Sequence, residues 1–468
     1  MEGEAGDEVT SDLNSETIGE GRGTGARLLR RVVEVHPGEL RAVLASFTFF
    51  FFLLSSYFVL RPMRDEVASS SGVNGLTWLF AATLAGTLLF NPMFSALVAK
   101  FPVRKFIPIS YQFFVANMLI FYAVLRYMSA AEGSTVDVWA GRAFFIWTTV
   151  FALFNTSIFW CLMADTFRSD EAKRLFGFIG VGGTLGSITG SAATAVLAQR
   201  VGTMNLLLVS AGLLEIAVIV VTRFPQRAVP GPNERVRTKR DKDPELIGGS
   251  VWAGFTHVVR SPYLIGICGF MVLFTVGSTF LYFAQSDLVG REFADKASRT
   301  AVLAKLELSV QTLTVITQIF FTGRIIRWLG LGLALALLPI ISILGFGGLA
   351  LAPAFATVAV FTVLRRGGNF AITNPAMEVL FTVVRREDKY KAKNVIETFV
   401  YRGGDQIGAW AYKGLTGLNL GLVGISYVAV PLSMIWLGLG LWLGRRQAQL
   451  AGEQPVVKEL SGAVPVTT

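Results

Sequence analysis

Pro225–Leu246 reads PQRAVPGPNERVRTKRDKDPEL, a run dense in proline and charge with no apolar periodicity on which a helix could pack. It lies at the heart of a linker, 223–262, that divides the chain into two apolar stretches of nearly equal length, 43–222 and 263–444. Spanning a bilayer takes about 20 mostly apolar residues. Working outward on that rule gives six spans before the linker, at 43–60, 76–99, 106–127, 138–163, 176–199 and 204–222. Six follow it, at 263–289, 301–322, 329–349, 353–384, 395–419 and 422–444. The spans at 353–384 and 395–419 are the most polar and are assigned mainly from context.

Composition agrees with a membrane protein. The 468 residues are 53% hydrophobic and 16% charged, against roughly 25% charged in a soluble domain. The net charge of +10 raises the thought of nucleic acid, but its placement argues against that partner. The N-terminal tail, the loops at 100–105, 168–174 and 385–393, the linker, Arg324 with Arg327, and the tail after Gly444 carry 29 of the 42 Lys and Arg. All fall on one side of a twelve-span topology, the positive-inside pattern. The expected organisation is therefore 1–42 a largely disordered cytoplasmic tail, 43–222 and 263–444 two six-helix halves, 223–262 a cytoplasmic linker, and 445–468 a second cytoplasmic tail. Both termini would be cytoplasmic and the location the cell inner (cytoplasmic) membrane. The first apolar run reads as an uncleaved anchor, not a signal peptide. Cys161 and Cys268 lie far apart in apolar segments, and His36 and His257 lie outside the spans. Neither a disulfide framework nor a metal site follows, no cofactor is implied, and no nucleophile constellation suggests an enzyme.

The two stretches echo each other. Ser95-Ala-Leu-Val-Ala-Lys-Phe-Pro102 closes span 2 and Gly323-Arg-Ile-Ile-Arg-Trp-Leu-Gly330 closes span 8, 228 residues later. Gly182-Gly-Thr-Leu-Gly186 of span 5 resembles Gly404-Asp-Gln-Ile-Gly408 of span 11. Two parallel six-span repeats joined by a cytoplasmic linker describe an all-α polytopic membrane protein of major facilitator type. The Ser95–Lys105 turn resembles that superfamily's Gly-x-Leu-Ala-Asp-Arg-x-Gly-Arg-Arg/Lys signature, with Ala99 at the Asp position and Pro102 at the second Gly position. A small-residue stripe in span 5 (Gly177, Gly180, Gly183, Gly186 or Ser187, Gly190) predicts close helix packing. It is no phosphate loop, because it lacks the preceding strand and the Gly-Lys-Ser/Thr ending.

Fixed charges within spans point to function. Placing one at the bilayer centre costs about 2.5–3.5 kcal/mol on insertion scales, so it normally faces a watery cavity or a partner. Arg61, Arg64, Arg142, Lys305, Arg365, Arg366 and Arg402 all fall inside or at the ends of apolar segments, which suggests an anionic cargo. Tyr57, Arg61 and Arg64 share a helical face, with Pro62 placed to bend span 1; the plainer reading has the two arginines snorkel to headgroups. Glu307, Gln311, Thr314 and Gln318 form one polar stripe on span 8. Arg402, Asp405 or Gln406, Ala409 and Lys413 form another on span 11, and Arg365 and Asn369 are one turn apart on span 10. Structural pairing, for example of Glu307 with Arg365 or Arg402 with Asp405, is the competing account, since Glu215, Glu307, Glu378, Glu397 and Asp405 are available inside. Asp165, Glu171, Lys173, Arg174, Lys391 and Lys393 form acid–base clusters at cytoplasmic ends, candidates for gating or for membrane-edge salt bridges.

Several of these segments resemble the bacterial and plastid nucleotide (ATP/ADP) transporter family, a branch related to the major facilitators. Leu60-Arg61-x-x-Arg64-Asp65 resembles its Leu-Arg-x-x-Lys-Asp. Phe159-Trp160 with Glu171-Ala-Lys-Arg174-Leu-Phe176 resembles its Phe-Trp and Glu-Ala-Lys-Arg-Phe-Tyr. Tyr390-Lys-Ala-Lys393, Glu397 and Arg402-Gly403-Gly404 resemble its Lys-x-Lys-x-Lys, Asp and Gly-Lys-Ser-Gly-Gly region. The resemblance implies ATP binding and ATP:ADP antiport. Two family lysines stand here as Arg64 and Arg402, which keeps the charge but gives it a planar fork.

Three readings stay open. The first is a carrier of nucleotides or related organic phosphates by alternating access, with Arg61, Arg64, Arg365, Arg366 and Arg402 as anion clamp and Tyr57, Trp147 and Tyr282 placed to stack a base. The second is a proton-coupled efflux carrier using Glu307 or Asp405. The third is a membrane sensor or scaffold. Membrane lipid and a small anionic substrate are the expected partners, with a monomer the simplest oligomeric state.

Overall fold

Lipid offers the backbone no hydrogen-bond partners, so each apolar segment must close its own N–H and C=O groups as a helix. The computed structural model describes residues 39–100, 103–128, 134–167, 169–224, 258–259, 261–320, 322–384, 393 and 395–452. Among them run twelve long helices: α1 (Leu40–Ser70), α2 (Gly72–Lys100), α3 (Val103–Ala123 with a π-turn Val124–Met128), α4 (Thr135–Thr166), α5 (Ser169–Val201), α6 (Leu206–Thr222), α7 (Pro262–Glu292), α8 (Lys296–Phe320), α9 (Thr322–Leu351), α10 (355–383, in four pieces), α11 (396–417) and α12 (Leu422–Gly452). The predicted spans fall on these helices one for one. Residues 1–38 and 453–468 of the tails and nearly all of the linker lie outside the described residues, as do Lys391 and the centre of the Ser95–Lys105 turn, while α12 runs on through 445–452 of the expected C-terminal tail. The turn's counterpart ends at Gly330, whose φ of 73° breaks α9, a conformation that costs a non-glycine residue roughly 1–2 kcal/mol.

Hydropathy alone identifies eight membrane-crossing helices among the described residues, with α6 as a shorter apolar one. The three it misses, α8, α10 and α11, carry the polar stripes. Glu307, Arg365, Arg366, Arg402 and Asp405 turn toward the protein interior, so average hydropathy understates how well these helices sit in a bilayer. The same effect shortened span 1. Apolar windows stop at Leu60, but α1 continues unbroken through Pro62 to Ser70, which puts Arg61 and Arg64 inside the helix and not at its end.

Close approach of backbones sets the helix pairing. On α5, Cβ atoms at Gly182, Gly186 and Gly190 would lie within 3.0 Å of the carbonyl oxygens of Phe47, Phe51 and Ser55 on α1. The contact is sealed by the Ser55 hydroxyl donating to the Gly186 carbonyl at 3.1 Å. Gly404 and Gly408 of α11 press in the same way on Thr275 and Thr279 of α7. The two glycine echoes thus do the same job, α5 on α1 and α11 on α7. The predicted stripe needs one correction: Gly177 and Gly180 have open space beside them, so the packed row is Gly182–Gly186–Gly190 with Gly183 against Phe50.

Polar links join the first six helices to the last six near the end of α1. The Glu66 carboxylate pairs with Arg299 at 2.8 Å, Asp137 with Lys296 at 3.2 Å, and the Tyr282 hydroxyl donates to Asp65 at 2.9 Å. Between α7 and α8, Asp295 accepts the Ser298 backbone N–H at 2.7 Å as an N-cap. Hydrogen bonds from Ser298 hold its carboxyl below the usual aspartate range.

Candidate functional site

Where α1, α2 and α4 face α7, α10 and α11, their side chains leave a cavity of about 290 Å³, close to the lower size of small-molecule sites. Arg61, Arg64, Arg365, Arg366 and Arg402 line it, with Asn369, Asp65 and Asp405. Five arginines drawn from three separate helices therefore converge on one space.

Local backbone breaks help present them. Pro375 has no N–H to donate, and the turn before it widens into a π-helix at Asn369–Thr373, separated from Arg365 and Arg366 by Gly367 and Gly368. A second π-turn, Ile396–Val400, precedes Tyr401 and Arg402 on α11.

The five arginines are not equivalent. Arg64 donates through Nε and Nη2 to Asp65 Oδ1 at 3.0 and 2.6 Å. Arg61 Nη1 lies 3.2 Å from Glu307 Oε1, and its buried Nε has no hydrogen-bond partner among the described residues. Arg366 holds the same carboxylate, Nη1 at 2.8 Å from Oε2 and Nη2 at 3.1 Å from Oε1. Arg402 stands 3.8 Å from Asp405, the far limit of an ion pair. Arg365 is 3% exposed, yet it has only neutral partners: Ser342 Oγ at 3.1 Å, Ser278 Oγ at 2.6 Å and the Phe274 carbonyl at 2.9 Å. Its guanidinium also lies over the Phe274 and Trp436 rings at 5.3 and 5.7 Å. No carboxylate reaches it among the described residues. Against Asp65, Asp405 and Glu307, the five arginines leave a surplus of positive charge around the cavity.

Other sequence expectations resolve differently. Glu307 does not pair with Arg365; it sits behind the cavity wall, 2% exposed, between Arg61 and Arg366. Within α8, Gln311 donates to it at 2.9 Å, and Gln318 reaches the Phe370 carbonyl of α10 at 3.2 Å. Arg142 stacks on Trp139 at 4.9 Å away from the cavity, and Lys305 is exposed. Lys413 lies over Trp410 at 4.9 Å and Trp78 at 5.9 Å, too far along α11 to reach the site. Trp147 is parallel to Phe151 in an aromatic stack at 5.3 Å, and Tyr57 packs on Phe58 at 5.2 Å; neither lines the cavity. Tyr282 does, joined by Phe80, Phe145, Phe274, Phe370 and Tyr401, rings whose role no charge pattern announced.

At the helix ends, Arg174 pairs with Glu39 at 2.8 Å. Lys393 pairs with Glu378 at 2.7 Å, a carboxylate that proves exposed, not buried. Glu171 lies on the first turns of α5, half-buried. The side chains of Asp165, Lys173 and Glu397 lie outside the described residues.

No curated protein gives a significant sequence match. Solved structures share the architecture at low identity. A POT family transporter in complex with a thioalcohol-conjugated peptide aligns with TM-score 0.58 and 10% identity over 88% of this chain and 96% of that one. The nucleoside transporter NupG, in a point-mutant form, gives 0.53 and 15% over 88% and 99%. A bacterial metal transporter gives 0.56 and 12% over 88% and 99%. These likenesses speak for the fold alone, since their cargoes differ. The family model describing the Major Facilitator Superfamily matches residues 42–391, at the level of the superfamily and no narrower branch. With twelve helices, a central cavity between the two sets of six and that match, the chain belongs to the Major Facilitator Superfamily, as a multi-pass secondary transporter working by alternating access.

Proposed function

We propose that the cargo is an organic anion, with nucleotides or related organic phosphates the favoured class. Arg365 carries this reading. A buried guanidinium without a carboxylate keeps most of its desolvation penalty, which a buried ion pair would partly offset, and it sits at the wall of a cavity where an anion would supply the missing charge. Arg402, weakly engaged by Asp405, and Asn369 complete the nearest set of donors, and Arg61, Arg64 and Arg366 stand behind as partly neutralised cations. The fork of each guanidinium suits two phosphate or carboxylate oxygens at once. Phe80, Tyr282 and Tyr401 offer ring faces for a base. The resemblance of Arg61, Arg64 and Arg402 with their neighbours to nucleotide-transporter motifs narrows the class from anion to nucleotide.

A thermal-shift screen of the purified protein against nucleotides, sugar phosphates and organic acids tests this, because a ligand that binds the folded form raises its melting temperature by mass action. Shifts are expected from phosphorylated compounds and should shrink in Arg365→Gln. Shifts confined to cationic or neutral compounds would refute the reading and favour proton-coupled efflux, for which Asp405 beside the cavity is the available carboxylate.

A further inference from the structure

We infer that Glu307 is a resident counter-anion: in the empty carrier it occupies Arg61 and Arg366, and cargo must displace it to recruit them, so that it sets the minimum charge a cargo needs. The inference rests on the anionic-cargo reading and goes beyond it. Both arginines line the cavity, while the carboxylate that holds them is buried behind its wall. Arg366 holds both its oxygens, Oε2 at 2.8 Å and Oε1 at 3.1 Å, and Arg61 shares Oε1 at 3.2 Å, with the Gln311 amide donating to Oε1 at 2.9 Å. Arg61 belongs to α1 and Glu307 to α8, so the contact also bridges the first six helices and the last six.

Two further observations point to competition in place of a finished structural pair. Arg61 Nε is buried with no hydrogen-bond partner among the described residues, so Glu307 does not satisfy that guanidinium. Arg365, on the same wall, has no carboxylate among its partners. An anion of one charge can be met by Arg365 and Arg402 alone. One of two or more charges also reaches Arg61 and Arg366, against Glu307. Discrimination between low and high charge then depends on a carboxylate the cargo never touches, which makes Glu307 a positioning residue for the site.

The test uses inorganic pyrophosphate and, as the low-charge probe, acetate, with affinities measured on the purified full-length protein. Arg61→Gln alone should weaken pyrophosphate binding by roughly tenfold, the value of one charged hydrogen bond. Glu307→Gln should tighten it by a similar factor and leave acetate nearly unchanged. Should Glu307→Gln alone fail to fold, the pair Arg61→Gln with Glu307→Gln removes a cation and an anion together, and removing both partners of a pair is far less disruptive than removing one. That double variant should bind pyrophosphate at least as well as the parent, despite having lost an arginine. Binding as weak as in Arg61→Gln alone would overturn the inference and leave the anion site standing. Absence of pyrophosphate binding in parent and variants alike would overturn both.

Discussion

At the scale of the residue, adjacent positions on one helix take different parts. Arg365 and Arg366 are neighbours in sequence but about 100° apart around α10, and only Arg366 reaches Glu307. Since Arg365 is a buried charge with neutral partners, Arg365→Gln should leave the melting temperature of the ligand-free protein unchanged or slightly higher, which differential scanning fluorimetry reports. A marked fall would mean the guanidinium is a structural strut. Arg142→Gln is the matched control: it removes a cation that stacks on Trp139 and should leave ligand-induced shifts intact, where Arg402→Gln diminishes them. That the cations inside the spans were unusual was legible in the sequence, because insertion cost applies to any charge at that depth. The local pair of Arg402 with Asp405 was legible as well, but the long-range pairing was not, because it depends on helix rotation and on contacts across 59 residues, as between Arg366 and Glu307.

At the scale of the element, the glycine rows decide which helices can touch. Gly186→Val would drive a side chain into the Phe51 carbonyl region and should abolish detergent-stable protein. Gly180→Ala meets nothing within 4 Å and should express and migrate on size exclusion as the parent does. Equal behaviour of the two variants would contradict the packing described. Period and composition revealed a small-residue stripe on α5 but not its facing side: Gly177 and Gly180 repeat as regularly as Gly182 and Gly186 do. The π-turns of α10 and α11 had a partial signal, the Asn374-Pro375 step, whereas nothing local marks Ile396–Val400. The aromatic lining was hidden for another reason. Phe, Tyr and Trp are so common in this chain that only the fold separates Tyr282 at the cavity from Trp147 in the core.

At the scale of the whole molecule, the twelve helices were readable because lipid imposes span length. Transport then requires the two sets of six to separate where they are now joined. Glu66 with Arg299 and Asp137 with Lys296 hold that end together. Arg299→Gln, which removes the cation that donates hydrogen bonds to buried Glu66, should shift the population toward the form open there. Spin labels at the exposed positions Ser70 and Ala294, measured by pulsed dipolar spectroscopy, should show a longer distance gaining weight in that variant. An unchanged distribution would remove these pairs from the gate. The central claim, a cavity built to hold a multiply charged phosphate, is tested most directly by calorimetric titration of adenosine, AMP and ATP into the parent protein and Arg365→Gln. The account predicts affinity rising with phosphate number, and a loss in the variant of about ten- to hundredfold for ATP, smaller for AMP and absent for adenosine. Equal binding of adenosine and ATP, or ATP binding untouched in a normally folded Arg365→Gln protein, would contradict it.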